Sequence, residues 1–168
     1  MTPSIEICVP SALSDTDRRV FTTLAREGGE VAALSFERLM GMAHSIAIAR
    51  HAAQIQGIAA LKRPNTAYRN GVFEKSCALL AAESFNLELG WVVVRPEARG
   101  RGIAVSLVAS LIEQARGEAI YATSNTTNEA MHAVLRKFGF QSVGTSYASQ
   151  RRDAYLQLFV RNQGLSMT

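Results

Sequence analysis

Short stretches in which apolar and polar residues alternate recur along the chain, and this two-residue period is typical of half-buried β-strands. The first, "SIEICVP", alternates at Ile5, Ile7 and Val9 and ends at Pro10. "HSIAIARH" and "QIQGIAALKRP" also alternate, and the polar residues between them predict a hairpin. "LELGWVVVRP" is almost continuously apolar, as expected of a strand buried on both faces. "EAIYATS" predicts one more strand, and "FQSVGTSYAS" with "AYLQLFVRN" predicts a final antiparallel pair.

Apolar residues at three- and four-residue steps predict the helices that separate these strands. "SDTDRRVFTTLAREGG" offers Ser14 as an N-cap and Gly28-Gly29 as a stop, and "SFERLMGM" predicts a shorter helix. The apolar stripe from Ile103 to Ala115 predicts a helix lying on the sheet, and "NEAMHAVLRKF" predicts a last helix closed by Gly139. In "NTAYRNGVFEKSCALLAAESFN" the start predicts a loop, whereas residues 72–84 have helical composition.

The resulting order is strand, two helices, three strands, helix, strand, helix and two strands. This order predicts an α+β fold with a mixed central sheet, helices on both faces and one parallel crossover unit. With 168 residues, of which 48% are hydrophobic, the chain has the size and composition of one compact domain spanning residues 1–168.

Charge and cysteine content narrow the classes of partner. The formal net charge of +4 is compatible with an anionic small ligand, and no run of Lys or Arg is long enough to favour a nucleic-acid partner. Cys8 and Cys77 lack the spacing of a zinc site or a disulfide framework, so we expect no metal and a reduced, cytoplasmic setting. The N-terminus lacks a signal-peptide pattern, and no apolar stretch reaches the roughly 18 residues of a membrane span.

The candidate chemistry begins at the turn "RPEARGRGIA". A glycine turn that runs into a helix N-terminus directs unpaired backbone N–H groups and the positive end of the helix dipole to one spot, which binds phosphate well. Gly100 and Gly102 would let an anion approach the backbone, and Arg99 and Arg101 could add charge-assisted hydrogen bonds. Taken alone, the pattern fits a plain turn with solvated arginines equally well.

Two motifs together favour the phosphate site over the plain turn. "RPEARGRGIA" resembles the acyl-CoA pyrophosphate loop of the GNAT superfamily of N-acetyltransferases, in which Arg99, Gly102 and Ala104 match the pattern of Gln or Arg, two residues, Gly, one residue, and Gly or Ala. "NEAMHAVLRKFGF" resembles that superfamily's Asn-capped helix, with Asn128 and Gly139-Phe140 at the family spacing. The resemblance covers roughly residues 4 to 162 and implies the GNAT acyl-CoA N-acyltransferase fold.

The resemblance also implies where acetyl-CoA, the acyl donor, would bind. Pantetheine would lie in a V-shaped gap between "LELGWVVV" and "EAIYATS" and pair with backbone groups of the first strand. Asn128 would face the pantetheine arm, act as a helix cap, or do both. The residues expected to bind the strand-paired arm and the pyrophosphate are Val92, Val93, Val94, Arg99, Gly100, Arg101, Gly102, Ile103 and Ala104.

Chemistry in such a site is direct attack of a neutral amine on the acetyl thioester, without a covalent enzyme intermediate. Glu88, at the start of the central strand, is the candidate base; its alternative is a solvated or arginine-paired carboxylate. The family often places a Tyr acid in the helix before Gly-Phe, where this chain has Leu135. Tyr147, with Ser124 behind it, is the candidate acid, and a structural Tyr at a strand end is its alternative.

Other reactive side chains have simpler predicted roles. Cys77 lies among apolar residues and is expected to be a buried, inert thiol, and His132 is expected to lie at the surface or to serve in packing. The segment "LKRPNTAYRNG" is predicted to be a loop that carries Lys62 and Arg69. It is either a substrate-contacting insert or a solvated basic loop.

Three functions are compatible with this pattern. The first is an acetyl-CoA-dependent N-acetyltransferase of a small amine, an amino acid or a peptide amine, with a homodimer as a further possibility from relatives. The second is a catalytically silent acyl-CoA-binding sensor or interaction domain, which the replacement of the family Tyr by Leu135 keeps open. The third is an acetyltransferase of a macromolecule, either a protein or an aminoacyl-tRNA.

Overall fold

The computed structural model describes residues 2–29 and 35–162, which contain seven β-strands and five α-helices. One strand and two helices are followed by a hairpin, then by alternating helices and strands, and finally by a second antiparallel pair. In chain order the elements are β1 (Ser4–Cys8), α1 (Asp15–Glu27), α2 (Phe36–Gly41), β2 (Ser45–His51), β3 (Gln54–Lys62), α3 (Thr66–Lys75), β4 (Leu87–Val94), α4 (Ile103–Ala115), β5 (Ile120–Asn125), α5 (Glu129–Lys137), β6 (Gln141–Ala148) and β7 (Tyr155–Arg161).

The strands follow the order β1-β2-β3-β4-β5-β7-β6. The pairs β1–β2, β2–β3, β5–β7 and β6–β7 are antiparallel, and β4–β5 is parallel. Helix α4 connects the two parallel strands, which is the crossover that the sequence predicts. The predicted α+β fold with a mixed central sheet is therefore confirmed.

Contacts divide the chain into two compact units. The first comprises residues 1–62 and 89–114, and the second comprises residues 63–88 and 115–168. The described parts of the first unit hold β1, α1, α2, β2, β3, α4 and most of β4. Those of the second hold α3, the first two residues of β4, β5, α5, β6 and β7. The single domain expected for residues 1–168 stays a prediction.

The first unit has an aromatic core that its first two helices help to build. The Ser14 side chain caps α1 by accepting a hydrogen bond from the Asp17 N–H at 3.1 Å. Phe21 of α1 stacks on Phe36 of α2, with ring centres 6.2 Å apart, and both rings are fully buried. Such rings supply much of the apolar burial that stabilises a small core.

The segment after β3 differs from its prediction. Helix α3 covers Thr66–Lys75 and begins where a loop was expected. The Asn65 side chain caps it by accepting hydrogen bonds from the N–H groups of Ala67 and Tyr68. Residues 76–81 form a turn and a linker instead of the expected helix, and Cys77 sits in the left-handed region at φ +54°. Cys77 is exposed, so the expectation of a buried thiol was wrong.

A close backbone approach ties this turn to β6. Gly144 has φ +69°, and a Cβ there would overlap the carbonyl of Ser76. The neighbouring Thr145 N–H donates to the same carbonyl at 2.7 Å. Only glycine fits this position, which makes the contact a fixed feature of the second unit.

Candidate active site

The turn between β4 and α4 places two glycines with left-handed backbone directly before a helix. Gly100 and Gly102 adopt φ of +76° and +77°, and an ideal Cβ on either would meet no atom within 4 Å. Helix α4 follows at once, and its first intrahelical bond runs from the Ser106 N–H to the Gly102 carbonyl. The N–H groups of Ile103 and Ala104 therefore have no partner within the helix.

The start of α4 is held close to the sheet by a glycine that the sequence analysis did not single out. A Cβ on Gly57 of β3 would lie 3.1 Å from Ile103 Cγ2, 3.3 Å from Leu107 Cδ1 and 3.2 Å from the Val93 carbonyl oxygen. The missing side chain thus lets the first turn of α4 approach β3 and the end of β4. A lone glycine inside an apolar strand is the signal that could have revealed this role.

The second half of β4 leads into that turn. Val92, Val93 and Val94 are half-buried, and the Val94 carbonyl accepts a hydrogen bond from Arg99 Nε at 3.1 Å. Part of the Arg99 side chain is therefore used to shape the turn, and Arg101 remains exposed. The backbone of Val94 was expected to bind the pantetheine arm, and one lone pair of its carbonyl is already engaged.

Trp91 interrupts the extended backbone of β4 with φ +51°. A left-handed residue inside a strand is the local geometry of a β-bulge, and it is costly for a bulky side chain. The indole packs edge-on against Phe36, with ring centres 4.9 Å apart, and Lys62 Nζ lies 4.8 Å from the ring centre. Lys62 is thus a half-buried residue of β3. The prediction that it lies in a loop was wrong.

Glu88, the candidate base, is enclosed in the second unit with only 3% of its surface exposed. It does not point to solvent, which was one of its two alternatives. The Tyr121 hydroxyl donates a hydrogen bond to Glu88 Oε2 at 2.9 Å, and the two residues are register partners in the parallel ladder of β4 and β5. The carboxylate is therefore held in one orientation by a group on the neighbouring strand.

Tyr121 is itself fixed by the core of the second unit. Its side chain is completely buried, and its ring packs edge-on against Phe73 with centres 5.5 Å apart. Burial, and then the negative charge of Glu88, raise the pKa of Tyr121 well above its ordinary value. The hydroxyl therefore stays protonated and remains a donor to the carboxylate. Sequence reasoning missed this residue because nothing in "EAIYATS" distinguishes it from an ordinary core tyrosine.

Ser124 lies on β5 but on the other face from Tyr121, since side chains alternate along a strand. Its hydroxyl is enclosed, with 5% of the residue exposed, and it has no hydrogen-bond partner among the described residues. A buried hydroxyl without a protein partner is uncommon in proteins.

Tyr147 lies on the face of Tyr121, not of Ser124. It pairs with Leu156 of β7, and Leu156 pairs with Asn125, which shares a face with Tyr121. Ser124 is therefore not behind Tyr147, and this part of the prediction is corrected. Tyr147 is half-buried and packs against the apolar cluster of the second unit.

Helix α5 supplies the last predicted site residue. Asn128 is exposed and caps the helix by accepting from the Met131 N–H at 3.1 Å, so its predicted capping role is confirmed. Leu135, which stands where the family often has a Tyr, is fully buried. His132 is buried, with Nε2 3.0 Å from the Asn125 carbonyl oxygen, and it serves in packing.

Comparison with known proteins agrees with this geometry. The family model described as "Acetyltransferase (GNAT) family" matches residues 8–140. The chain belongs to this family. The enzyme class predicted from the sequence, an acyltransferase, is that of the family, and so is the fold.

One curated relative and two solved structures illustrate the similarity. The N-alpha-acetyltransferase RimI of Mycobacterium tuberculosis is 38% identical over 74 residues, which are 42% of this chain and 47% of that protein. An acyl-CoA N-acyltransferase from Pseudomonas aeruginosa has a TM-score of 0.70 at 15% identity and covers 95% of this chain and 99% of its own. The protein yncA from Salmonella typhimurium, solved with acetyl-CoA, has a TM-score of 0.68 at 14% identity, covering 95% and 94%.

The chain spans less than half the length of the curated relatives that it matches. The described residues hold no group of three or more His, Cys, Asp or Glu side chains placed to bind a metal ion. None of the described helices combines the length and apolarity needed to cross a membrane.

The turn of the first unit fits the pyrophosphate of acetyl-CoA. The open space above Gly100 and Gly102 and the N-terminus of α4 suit such an anion.

Proposed function

We propose that this chain is an acetyl-CoA-dependent N-acetyltransferase that modifies the amine of a small molecule, an amino acid or a peptide. The observation that carries the proposal is the Glu88 carboxylate, enclosed and hydrogen-bonded to Tyr121, in a member of the acetyltransferase family. A buried carboxylate is costly to keep charged, and such sites are typical of acid–base chemistry.

In the proposed mechanism, acetyl-CoA supplies an acetyl thioester that is activated for attack. The backbone from Arg99 to Ala104 holds the pyrophosphate, and backbone groups of Val92–Val94 align the pantetheine arm. Glu88 removes the proton from the incoming ammonium, directly or through water, so that the amine can attack as a neutral nucleophile. Tyr121 keeps one carboxylate oxygen in place during this transfer.

The proton for the leaving thiolate needs a second group. Leu135 cannot supply it, and Tyr147 is the candidate donor because it lies on the same sheet face as Tyr121. The Ser124 hydroxyl is proposed to hydrogen-bond to the bound acyl-CoA, since it is enclosed and has no protein partner within the described residues. Tyr147, the proposed acid, and Ser124, the proposed binding group, are thus assigned to different faces of the sheet.

The first experiment is calorimetric titration of the purified protein with acetyl-CoA, desulfo-CoA and adenosine diphosphate. We expect tight binding that weakens strongly when the pantetheine arm is absent. An amine screen with acetyl-CoA, run on the same protein and on Glu88→Gln, then tests turnover. Absence of acetyl-CoA binding to folded protein would overturn the site assignment.

A second function is supported by one observation. Leu135 is buried where the family often has the acid Tyr, so a domain that binds acyl-CoA without turnover fits that residue. Intact acetyl-CoA binding with no transfer to any of a broad set of amines, N-terminal peptides included, would support this sensor over the enzyme. The relative RimI makes α-amines of peptides a necessary part of that set.

A further inference from the structure

Arg69 is a buried cation that the proposed mechanism does not use. The sequence placed it in a loop, but it lies in α3 with only 8% of its surface exposed. Burying a guanidinium is costly unless it is paired with an anion. Among the described residues, no carboxylate lies within ion-pair distance of Arg69, so its charge is not neutralised by a direct partner.

Two neutral amides hold one side of the guanidinium. Arg69 Nε donates to Asn70 Oδ1 and Nη1 donates to Asn86 Oδ1, both at 3.3 Å. Among the described residues, Nη2 has no acceptor. If it were fully enclosed, it would be an unpartnered buried atom, but the Ser124 hydroxyl is the only such side-chain atom in the described residues. Nη2 is therefore accessible. Arg69 is thus anchored through Nε and Nη1, and Nη2 is left for another acceptor.

This cation and the candidate base are connected through Asn86. Arg69 donates to Asn86, which stands two residues before Glu88, and its positive charge lowers the pKa of Tyr121 against the larger effects of burial and Glu88 that raise it. The Tyr121 hydroxyl donates to Glu88. A carboxylate and an accessible guanidinium are thus gathered around one buried tyrosine.

The spacing along the chain matches a small bifunctional ligand. Asn86, which anchors Arg69, stands two residues before Glu88, and two residues of extended chain span roughly 7 Å. An ammonium delivered to Glu88 and an anion delivered to Arg69 would therefore belong to one compact molecule. An Arg guanidinium is particularly suited to a carboxylate because of its planar pair of donors.

We propose that Arg69 binds a carboxylate of the acceptor, so that the enzyme acetylates amines that carry a carboxylate and discriminates against uncharged analogues. This proposal rests on the proposed function, because it assigns the acceptor half of the same site. Arg69 is thereby a specificity-determining residue, and Asn70 and Asn86 are positioning residues that aim it.

The test compares matched acceptors with the full-length protein. Free amino acids with different spacing between amine and carboxylate, their amides, and short peptides with free or amidated C-termini are assayed for kcat/KM. The free acid is expected to exceed its amide by about 10- to 100-fold, the range for a charge-assisted hydrogen bond. The peptides show whether the carboxylate comes from a free amino acid or from a peptide C-terminus.

Arg69→Met is expected to bring the acid-to-amide ratio close to one, and Arg69→Lys is expected to retain part of it. Arg63→Met, at an exposed arginine nearby in sequence, is the matched control and should leave the ratio unchanged. Calorimetric binding of the preferred amino acid to the desulfo-CoA complex gives a readout that is independent of turnover. Should Arg69→Met fail to fold, the wild-type ratio and that binding still decide the question.

The possible results distinguish the role of Arg69 from the proposed enzyme function. Acetylation without preference for the acid, or a preference that survives in Arg69→Met, overturns the role of Arg69 and leaves the proposed function intact. Acetyl-CoA binding with no turnover removes the proposed enzyme function. In that case Arg69-dependent binding of the amino acid still supports the carboxylate site, and its absence overturns it.

Discussion

The glycine turn of the first unit and the Glu88–Tyr121 pair of the second unit prepare for chemistry in different ways. The turn is exposed and is expected to work through its backbone, since a Cβ on Gly100 or Gly102 would meet only open space. The Glu88–Tyr121 pair is enclosed and works through side chains that a packed core holds in place. Substitutions in the turn should therefore change ligand binding, and substitutions in the pair should change the rate of transfer.

Gly102→Val should produce the largest loss, in acetyl-CoA affinity. Its φ of +77° is unfavourable for a β-branched residue, and the new side chain would project into the open space above the turn. We expect affinity to fall by about 100-fold or more, as backbone hydrogen bonds to the phosphates are lost. Calorimetry measures the change.

Gly41→Val is the matched control for that variant. Gly41 lies at the end of α2 in the same unit, lacks a positive φ and has no atom within 4 Å of an ideal Cβ. It should bind acetyl-CoA like the parent protein. A folded Gly102→Val protein of unchanged affinity would contradict the assignment of the turn.

Glu88→Gln should separate the two regions most clearly. Loss of the base should lower kcat by about 100-fold, the lower end of the range for general acid–base catalysis. The affinity for acetyl-CoA should stay within about two-fold, because the amide keeps the size of the carboxylate and the turn is untouched. Steady-state kinetics and calorimetry on the same preparation provide both numbers.

Glu83→Gln, at an exposed carboxylate of the second unit, controls for a change of net charge. It should match the parent protein in both measurements. Undiminished turnover in Glu88→Gln would remove Glu88 from the mechanism and leave the binding turn unaffected.

These two regions also differ in how far the sequence predicts them. The turn could be predicted because its chemistry depends on local order: two glycines, a strand before them and a helical stripe after them. Tyr121 and Arg69 could not, because their significance depends on partners distant in sequence. Arg69 meets Asn86 across 17 positions, and Tyr121 meets Glu88 across 33.

Local chemistry explains the errors in the fold prediction as well. The Asn65 cap begins α3 at Thr66, six residues before the helical composition that starts at residue 72, and composition alone did not reveal this start. The left-handed residues Trp91 and Cys77 had no sequence signal, since bulky residues seldom adopt that conformation. The strands and the other helices followed from periodicity because burial enforces it.

Tyr121→Phe should have an intermediate effect on the second region. Removing the donor leaves Glu88 Oε2 without its bond, so we expect kcat to fall by about ten-fold and stability to fall by about 1–3 kcal/mol. Affinity for acetyl-CoA should be retained. The matched control is Tyr155→Phe, which removes the hydroxyl of an exposed tyrosine.

The same variant should change the alkaline limit of stability. The pKa of Tyr121 is raised in the folded protein, so its stabilising contribution is complete below the ordinary value of 10.0 and is lost as pH rises above it. Thermal unfolding between neutral and strongly alkaline pH should show a shallower decline in Tyr121→Phe than in the parent. Parallel curves would show that Tyr121 does not stay protonated in the fold.

Arg101→Ala should have the smallest effect on acetyl-CoA affinity. It tests how much the side chains of the turn, as opposed to its backbone, contribute to binding. The Arg101 side chain is exposed, whereas Arg99 is partly engaged with the Val94 carbonyl, so Arg101 contributes to a bound pyrophosphate mainly through charge. We expect acetyl-CoA affinity to fall by about three- to ten-fold at low salt and the difference to shrink as salt rises. Arg19→Ala, at an exposed arginine of α1, should show neither change. A loss as large as that of Gly102→Val would mean that the turn binds through its side chains, and the contrast with the Glu88–Tyr121 pair would disappear.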